Sequence, residues 1–406
     1  MSSLLHALRS LAEKTISDCT HQKKVDFSAT PVRLLLPSGD EKYYAFWIRD
    51  TAMMAESHLI SDDDLRRYVE LTATYGQNGA ETLHLANGLV VPPYAIADHI
   101  NYNGKPVFFP GHYRDGEDQG DGTWGSFPPF CDNYYFITMV YDYVHQSGDR
   151  AMLECVFSGM QLRTRMEKAM AGYNLDEATG LCVSSYARHT VSWGFTDTVA
   201  MQGRLLFASM LRYRAAECMA ELFPGNEYTS LQSYLKKEII AHFYDEKTGW
   251  LWSSDGRDRQ HDVWGTAYAV YLGILDENRA IKTAITLQNA WNDGIVGVYG
   301  YIRHILTTED AIPEVSAWAR CCRDINTYQN GAYWATPLGW YTYAVHRVNP
   351  ELAETILRDF IAYTQERLND GAPFEFQSRD GRVVSGCMYG TSGVLPYVAA
   401  KRFLKK

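Results

Sequence analysis

Apolar residues recur at spacings of three and four along most of this 406-residue chain, the period that gathers them on one face of an α-helix. Leu4, Leu5, Leu8 and Leu11 open the pattern. Continued along the chain, it predicts helices over residues 3–18, 51–60, 63–76, 129–147, 150–171, 198–223, 227–243, 263–275, 278–291, 331–347, 350–368 and 391–404. Several even-numbered segments are apolar on all sides: DNYYFITMVYDYV, GRLLFASMLRYRAAECMA, WGTAYAVYLGIL and GVLPYVAA. Helices enclosed by other helices have that character.

The connections alternate between short and long. The short ones, ISDD, HQSGD, FPGNE, LDEN and VNP, carry the Gly, Pro, Asn or Asp chemistry of tight helix–helix turns. The long ones precede the even-numbered helices, and connections above about 12–15 residues are usually functional when they occur in compact domains. Twelve helices joined this way form six antiparallel hairpins. Six hairpins closed into a ring give an all-α fold, an (α/α)6 barrel with its long loops on one rim. The loop over 77–128 also predicts a small β-hairpin, IADHINYNGKPVFF, turning at Asn103–Gly104 and suited to a lid over the barrel mouth. No Pro/Ser-rich, low-complexity or like-charge run interrupts the pattern, so one domain over 1–406 is the simplest expectation.

Composition narrows the function. With 28 Tyr and 10 Trp the aromatic share reaches 13%, more than a core requires, which suggests flat ligand surfaces. A net charge of -10 without a basic run argues against a nucleic-acid partner or an anionic membrane. The N-terminal stretch contains Glu13 and Lys14 and has no apolar core of the secretory kind. No run of 18 apolar residues predicts a membrane span. Eight cysteines without a CxxC pair, among them Cys155, Cys218 and the Cys321–Cys322 doublet in helical patterns, read as reduced thiols of a cytoplasmic protein.

One stretch resists a purely structural explanation. FWIRDTAMM, residues 46–54, puts an Arg–Asp dipeptide at the mouth of an apolar helix, where charges are costly unless something uses them. Either Asp50 caps the helix and Arg49 is solvated, or both serve a ligand. WIRD (47–50), VSWGFTD (191–197), YQNGAYW (328–334) and a late carboxylate before the twelfth helix fall in order on successive long loops. In that order and placement the chain resembles the six-hairpin glycosidase superfamily, which includes glucoamylases, trehalases and processing α-glucosidases.

Glycoside hydrolysis needs two carboxyl groups flanking the anomeric carbon. The resemblance puts the acid between helices five and six and the base between eleven and twelve, where the chain offers Asp197 and Glu375. Asp197 follows Trp193 and Phe195, whose apolar surroundings should keep an acid protonated; as the first residue of the sixth helix it would instead be an N-cap. Glu375 lies in APFEFQS, where alternation turns Phe374 and Phe376 one way and the carboxylate the other. A solvated loop glutamate is the bland alternative, and Asp380 competes for the base role.

The resemblance further implies that Arg49 and Asp50 hydrogen-bond the hydroxyls of a terminal sugar, and that Tyr328, Gln329 and Asn330 line the pocket. Asp132, at the start of the fourth helix, is a further candidate sugar ligand. Trp47, Trp193 and Trp334, with Trp124, Trp250, Trp252 and Trp264, fall in or beside the long loops, and indole packs well on sugar faces. RDGEDQGDG (114–122) invites a calcium reading but departs from EF-hand spacing; a solvated loop, or Asp118 or Asp121 on a sugar hydroxyl, fits better. His189 and His261 make no pair at metal spacing. No metal or cofactor is therefore expected.

The sequence thus predicts an exo-acting, inverting glycoside hydrolase acting on a small α-linked carbohydrate. A sugar 2-epimerase of the same barrel, working through paired histidines, a glycoside phosphorylase and an inactive carbohydrate-binding protein are the alternatives. Sugar, linkage and oligomeric state stay open.

Overall fold

The computed structural model describes residues 3–40, 42–85, 88–109, 119, 125–225, 227–306, 321, 323–367, 373–382, 385 and 387–404. Trp124, Asp118, Asp121, Cys322 and nearly all of the acidic 114–122 loop lie outside them. The described residues form twelve α-helices: α1 Ser3–Cys19, α2 Ile48–Ala55, α3 Asp62–Leu71, α4 Phe130–Ser147, α5 Leu162–Ala171, α6 Leu206–Leu222, α7 Tyr228–Phe243, α8 Val263–Tyr271, α9 Glu277–Asn292, α10 Leu338–His346, α11 Pro350–Arg367 and α12 Gly390–Ala400. None of them is long and apolar enough to cross a membrane. The chain divides into two compact units, residues 20–238 and residues 1–19 with 239–406.

In the unit of residues 20–238, α4 packs against α2, α3, α5 and α6, which explains why its sequence is apolar almost all round. Ser61 caps α3 by accepting from the Asp64 amide at 3.2 Å, and Gly148, at φ 74°, ends α4 in the left-handed conformation that glycine adopts freely. The predicted hairpin is present. His99–Ile100 pairs with Pro106–Val107 across a turn holding Gly104 at φ 79°, and its other edge pairs with Phe46–Trp47, the strand that runs straight into α2.

In the second unit α10 packs against α8, α9, α11 and α12, and α1 lies along α12. Two glycines permit close approach. A Cβ on Gly339 would sit 2.4 Å from the Leu395 carbonyl oxygen, and one on Gly393 would sit 2.2 Å from Thr15 Oγ1. A four-stranded antiparallel sheet, ordered Gly297–Val298, Tyr301–Arg303, Tyr333–Trp334, Phe376–Gln377, joins two long loops of this unit, the one before α10 and the one before α12.

Each unit also contains the same local turn. In DEATG (176–180) Asp176 accepts from the Thr179 amide and hydroxyl at 2.9 and 2.7 Å, and Gly180 has φ 66°. In DEKTG (245–249) Asp245 accepts from the Thr248 hydroxyl at 2.7 Å, and Gly249 has φ 83°. Each forms the tip of a small hairpin just past a helix end, closed by the bridges Leu175–Cys182 and Tyr244–Leu251.

Helix starts differ from expectation. The segment 150–171 is broken: Arg150–Glu154 is a 3-10 turn, Val156–Phe157 and Met160–Gln161 form a hairpin through Ser158 and Gly159, both at positive φ, and only then does α5 begin. Turn chemistry overrides the apolar period there. The sixth helix starts at Leu206 rather than 198 and the tenth at Leu338 rather than 331, because the buried apolar residues of both preceding loops imitate a helical pattern.

Candidate active site

Within residues 20–238 the WIRD segment is already helical. Ile48, Arg49 and Asp50 form the first turn of α2, whose N-cap position is Trp47 with no side-chain cap. Asp50 is therefore not the cap, and Arg49 is 3% exposed rather than solvated. Its Nη1 donates to Asp98 Oδ1 at 3.0 Å and reaches Asp132 Oδ1 at 3.5 Å and Cys131 Sγ at 3.7 Å; its Nε lies 3.9 Å from Asp50 Oδ2. Asp50, Asp98 and Asp132 are all fully buried. One guanidinium among three carboxyl groups is a charge cluster that a core does not need.

The electrostatics sort these groups. Burial alone would lower the Arg49 pKa, but the carboxylates, Asp98 foremost, raise it well above the ordinary value. Burial likewise works to raise Asp98, yet Arg49 and His99 outweigh it and hold its carboxyl below the usual range. Asp132 goes the other way: burial pushes it well up, with Arg49 opposing and Asp98 adding to the shift. Two carboxyls facing one cation do not both ionise cheaply, and the opposite shifts of Asp98 and Asp132 reflect that cost. Asp132 Oδ2 is buried without a hydrogen-bond partner.

The VSWGFTD loop comes from further along the same unit and is tied to the start of α4 by the Phe130 amide on the Val191 carbonyl at 3.1 Å. Gly194 lies against Arg49: a Cβ there would fall 1.9 Å from the guanidinium carbon. Phe195 faces the same guanidinium at 5.9 Å. Trp193 stacks on Phe207 at 3.6 Å and leans on Phe195 at 4.7 Å. Asp197 follows in a turn closed by Thr196 on the Trp193 carbonyl and is 7% exposed. With α6 starting at Leu206, Asp197 does not cap it.

In the other unit Glu375 is fully buried, and burial alternates from Pro373 to Gln377, so Phe374 and Phe376 turn the opposite way as the pattern predicts. The solvated-loop alternative does not hold. The Glu375 amide donates to Ser385 Oγ at 3.1 Å and to the Cys387 carbonyl at 3.3 Å, and the Cys387 thiol lies 3.8 Å from Glu375 Oε2. Asp380 is exposed and holds its own turn through Ser378 and the Arg382 amide, contacts that lower its pKa, Ser378 first. It belongs to the loop tip.

Beside Glu375, Trp334 pairs with Phe376 in the sheet and donates its indole N–H to the Tyr328 carbonyl at 3.1 Å. The Tyr328 ring packs against Trp334 and Phe376. YQNGAYW does not open the tenth helix; it is a loop and a strand. Asn330 spends its amide on the Arg323 carbonyl at 2.8 Å, closing that loop, and Gln329 is buried next to it. His261 packs on Trp252 and bonds Asp245 at 3.1 Å, and burial lowers the His189 pKa. Both are packing residues.

Three residues escape the sequence reading. Asp98 and His99 sit in the predicted hairpin, where two polar residues inside an apolar strand, IADHI, were the available signal. His304 is fully buried and stacks on Trp264 at 3.5 Å; its only sequence mark is a histidine closing the strand YIR.

No family profile matches the chain, and no curated protein matches it. Solved structures do. It is similar to a glycosidase variant solved in complex with glucose, at 12% identity over 99% of this chain and 98% of that one with a TM-score of 0.61. It is also similar to a sugar epimerase from a ruminal bacterium, at 10% identity over 98% and 99% with a TM-score of 0.58. An α-mannanase of Bacteroides thetaiotaomicron matches at 12% identity over 98% and 97% with a TM-score of 0.52. At such identities the likeness shows the fold: the all-α class of helical hairpins, which α/α-barrel sugar-active enzymes carry.

Proposed function

We propose that this chain is a glycoside hydrolase of the six-hairpin type, a single catalytic domain over 1–406 that removes a terminal sugar from a small α-linked glycoside or oligosaccharide. The observation that carries this reading is the buried Arg49 guanidinium among Asp50, Asp98 and Asp132. Burying such a group is unfavourable for a core and useful for a ring of hydroxyls that wants both donors and acceptors. Arg49, Asp50 and Asp132, with Trp47 beside them, would hold the terminal ring, and Trp193, Tyr328, Gln329, Asn330 and Trp334 would wall it.

In this reading Asp197 gives its proton to the leaving oxygen while Glu375 draws a proton from the attacking water. Opposite-face attack inverts the anomeric centre. Cys19, Cys131, Cys182, Cys218 and Cys387 are in no disulfide, which fits a reducing compartment such as the cytoplasm.

A screen of nitrophenyl α- and β-glycosides with common disaccharides tests the activity, read as new reducing ends, and anomer-resolved NMR tests the inversion. Asp197→Asn and Glu375→Gln should each lower turnover by about a hundredfold or more. Either variant within tenfold of wild type removes that residue from its role.

A second reading has one observation behind it. His304, buried against Trp264, is the kind of residue a sugar epimerase would use as acid or base, and a solved epimerase shares the fold. Free hexoses returned as their 2-epimers, without new reducing ends, would establish it. A phosphate requirement would mark a phosphorylase instead.

A further inference from the structure

We propose that His99 is a positioning residue: through Asp98 it aims the Arg49 guanidinium at the substrate. The inference rests on the sugar-binding reading above. Asp98 divides its two oxygens, Oδ1 accepting from Arg49 at 3.0 Å and Oδ2 from His99 Nδ1 at 2.9 Å. Its backbone is pinned on both sides, the amide on the Val107 carbonyl at 2.9 Å and the carbonyl under the Ile48 amide at 3.2 Å. His99 is held as firmly. It pairs with Trp47 across the sheet, its ring lies 4.4 Å from the indole at 25°, and it is fully buried.

Asp98 is the ionised, acceptor-only member of the cluster, so the hydrogen on this bond belongs to His99 Nδ1, which fixes the imidazole tautomer. The geometry then has a direction. Asp132 lies 3.5 Å from the same guanidinium nitrogen and competes for it. Asp98 wins because a second donor stabilises its charge and stops its carboxylate from rotating. Without His99 that charge loses its support, and the guanidinium is free to swing toward Asp132. His99 thus sets the direction of a donor without meeting the sugar itself.

Two substitutions separate this role from simple packing. His99→Asn keeps an N–H donor near the Nδ1 position, whereas His99→Gln carries its amide near the Nε2 position and leaves Asp98 Oδ2 bare. On the nitrophenyl glycoside that wild type hydrolyses best, His99→Gln should raise KM about tenfold, and His99→Asn should stay within about threefold of wild type. In an Arg49→Ala background His99→Gln should add no further loss, since a residue that acts through another has nothing left to act on.

The same double-mutant cycle read by urea midpoints needs no substrate: His99→Gln should cost less in the Arg49→Ala background than in wild type, because only the packing of the ring on Trp47 is left to lose. Equal damage from Asn and Gln, or additive losses in the cycle, overturns the proposal. Arg49→Ala with unchanged KM and rate, but with the urea cycle still coupled, would instead remove the sugar-binding reading and leave the His99–Arg49 link standing.

Discussion

Arg49 reaches its place because a neighbour gives up a side chain. Gly194 is separated from it by well over a hundred positions in sequence, yet no Cβ fits between them. The Gly194 backbone is not in the left-handed region, so Gly194→Ala acts on the guanidinium and not on chain conformation. Displacing it should weaken sugar binding by about tenfold while costing only about 1–3 kcal/mol of stability, the usual range for overpacking. Titration with the hydrolysed glycoside beside urea unfolding checks this; a large stability loss with unchanged affinity would mean that Arg49 serves the fold. At this scale the sequence shows its rare residues well. WIRD and VSWGFTD stand out because charge and tryptophan are conspicuous at the edges of apolar helices. Their meeting at Gly194 was not legible, and neither was the Asp98–His99 pair, because a two-residue strand leaves too little alternation to mark which side chain faces inward.

Among the elements, α8 shows how a cap can be costly. Asp262 accepts from the Gly265 amide at 2.7 Å and is buried, and burial pushes its pKa up to about 7 against the two amides that lower it. Below the ordinary value of 3.8 both folded and unfolded chains hold this proton. Between there and about 7 the unfolded chain has released it and the folded one has not, so stability is lost as pH rises through that window and stays lost above it. Asp262→Asn keeps a capping oxygen without the charge. Its melting temperature relative to wild type should therefore be higher at pH 8 than at pH 4.5; a constant offset between the two would dismiss the effect. Element existence was readable because helices in packed bundles repeat their apolar face for many turns. The starts of α6 and α10 were not: residues 198–201 and 331–337 are nearly all buried while lying outside any helix, and a period cannot tell such a segment from a buried helix.

For the molecule as a whole, the alternation of short and long connections carried more information than any helix did, because it encodes which ends of the helices bear the long loops. The class of fold followed from it, and full-length likeness to solved sugar-active enzymes agrees. The small sheets were largely missed, since strands of two to four residues hold too little period. Packing within residues 1–19 and 239–406 depends on α1 touching α12 through Gly393. Gly393→Val should lower stability by about 1–3 kcal/mol through the clash with Thr15, seen as a lower urea midpoint; an unchanged midpoint would show that α1 yields easily.

That contact has a consequence for biosynthesis. α1 is translated well before its packing partner α12, so Leu4, Leu5, Leu8 and Leu11 wait for that partner while the helices between the two are made. Nascent chains stalled before α12 should retain an α1 that proteases cut readily, and translation through α12 should protect it.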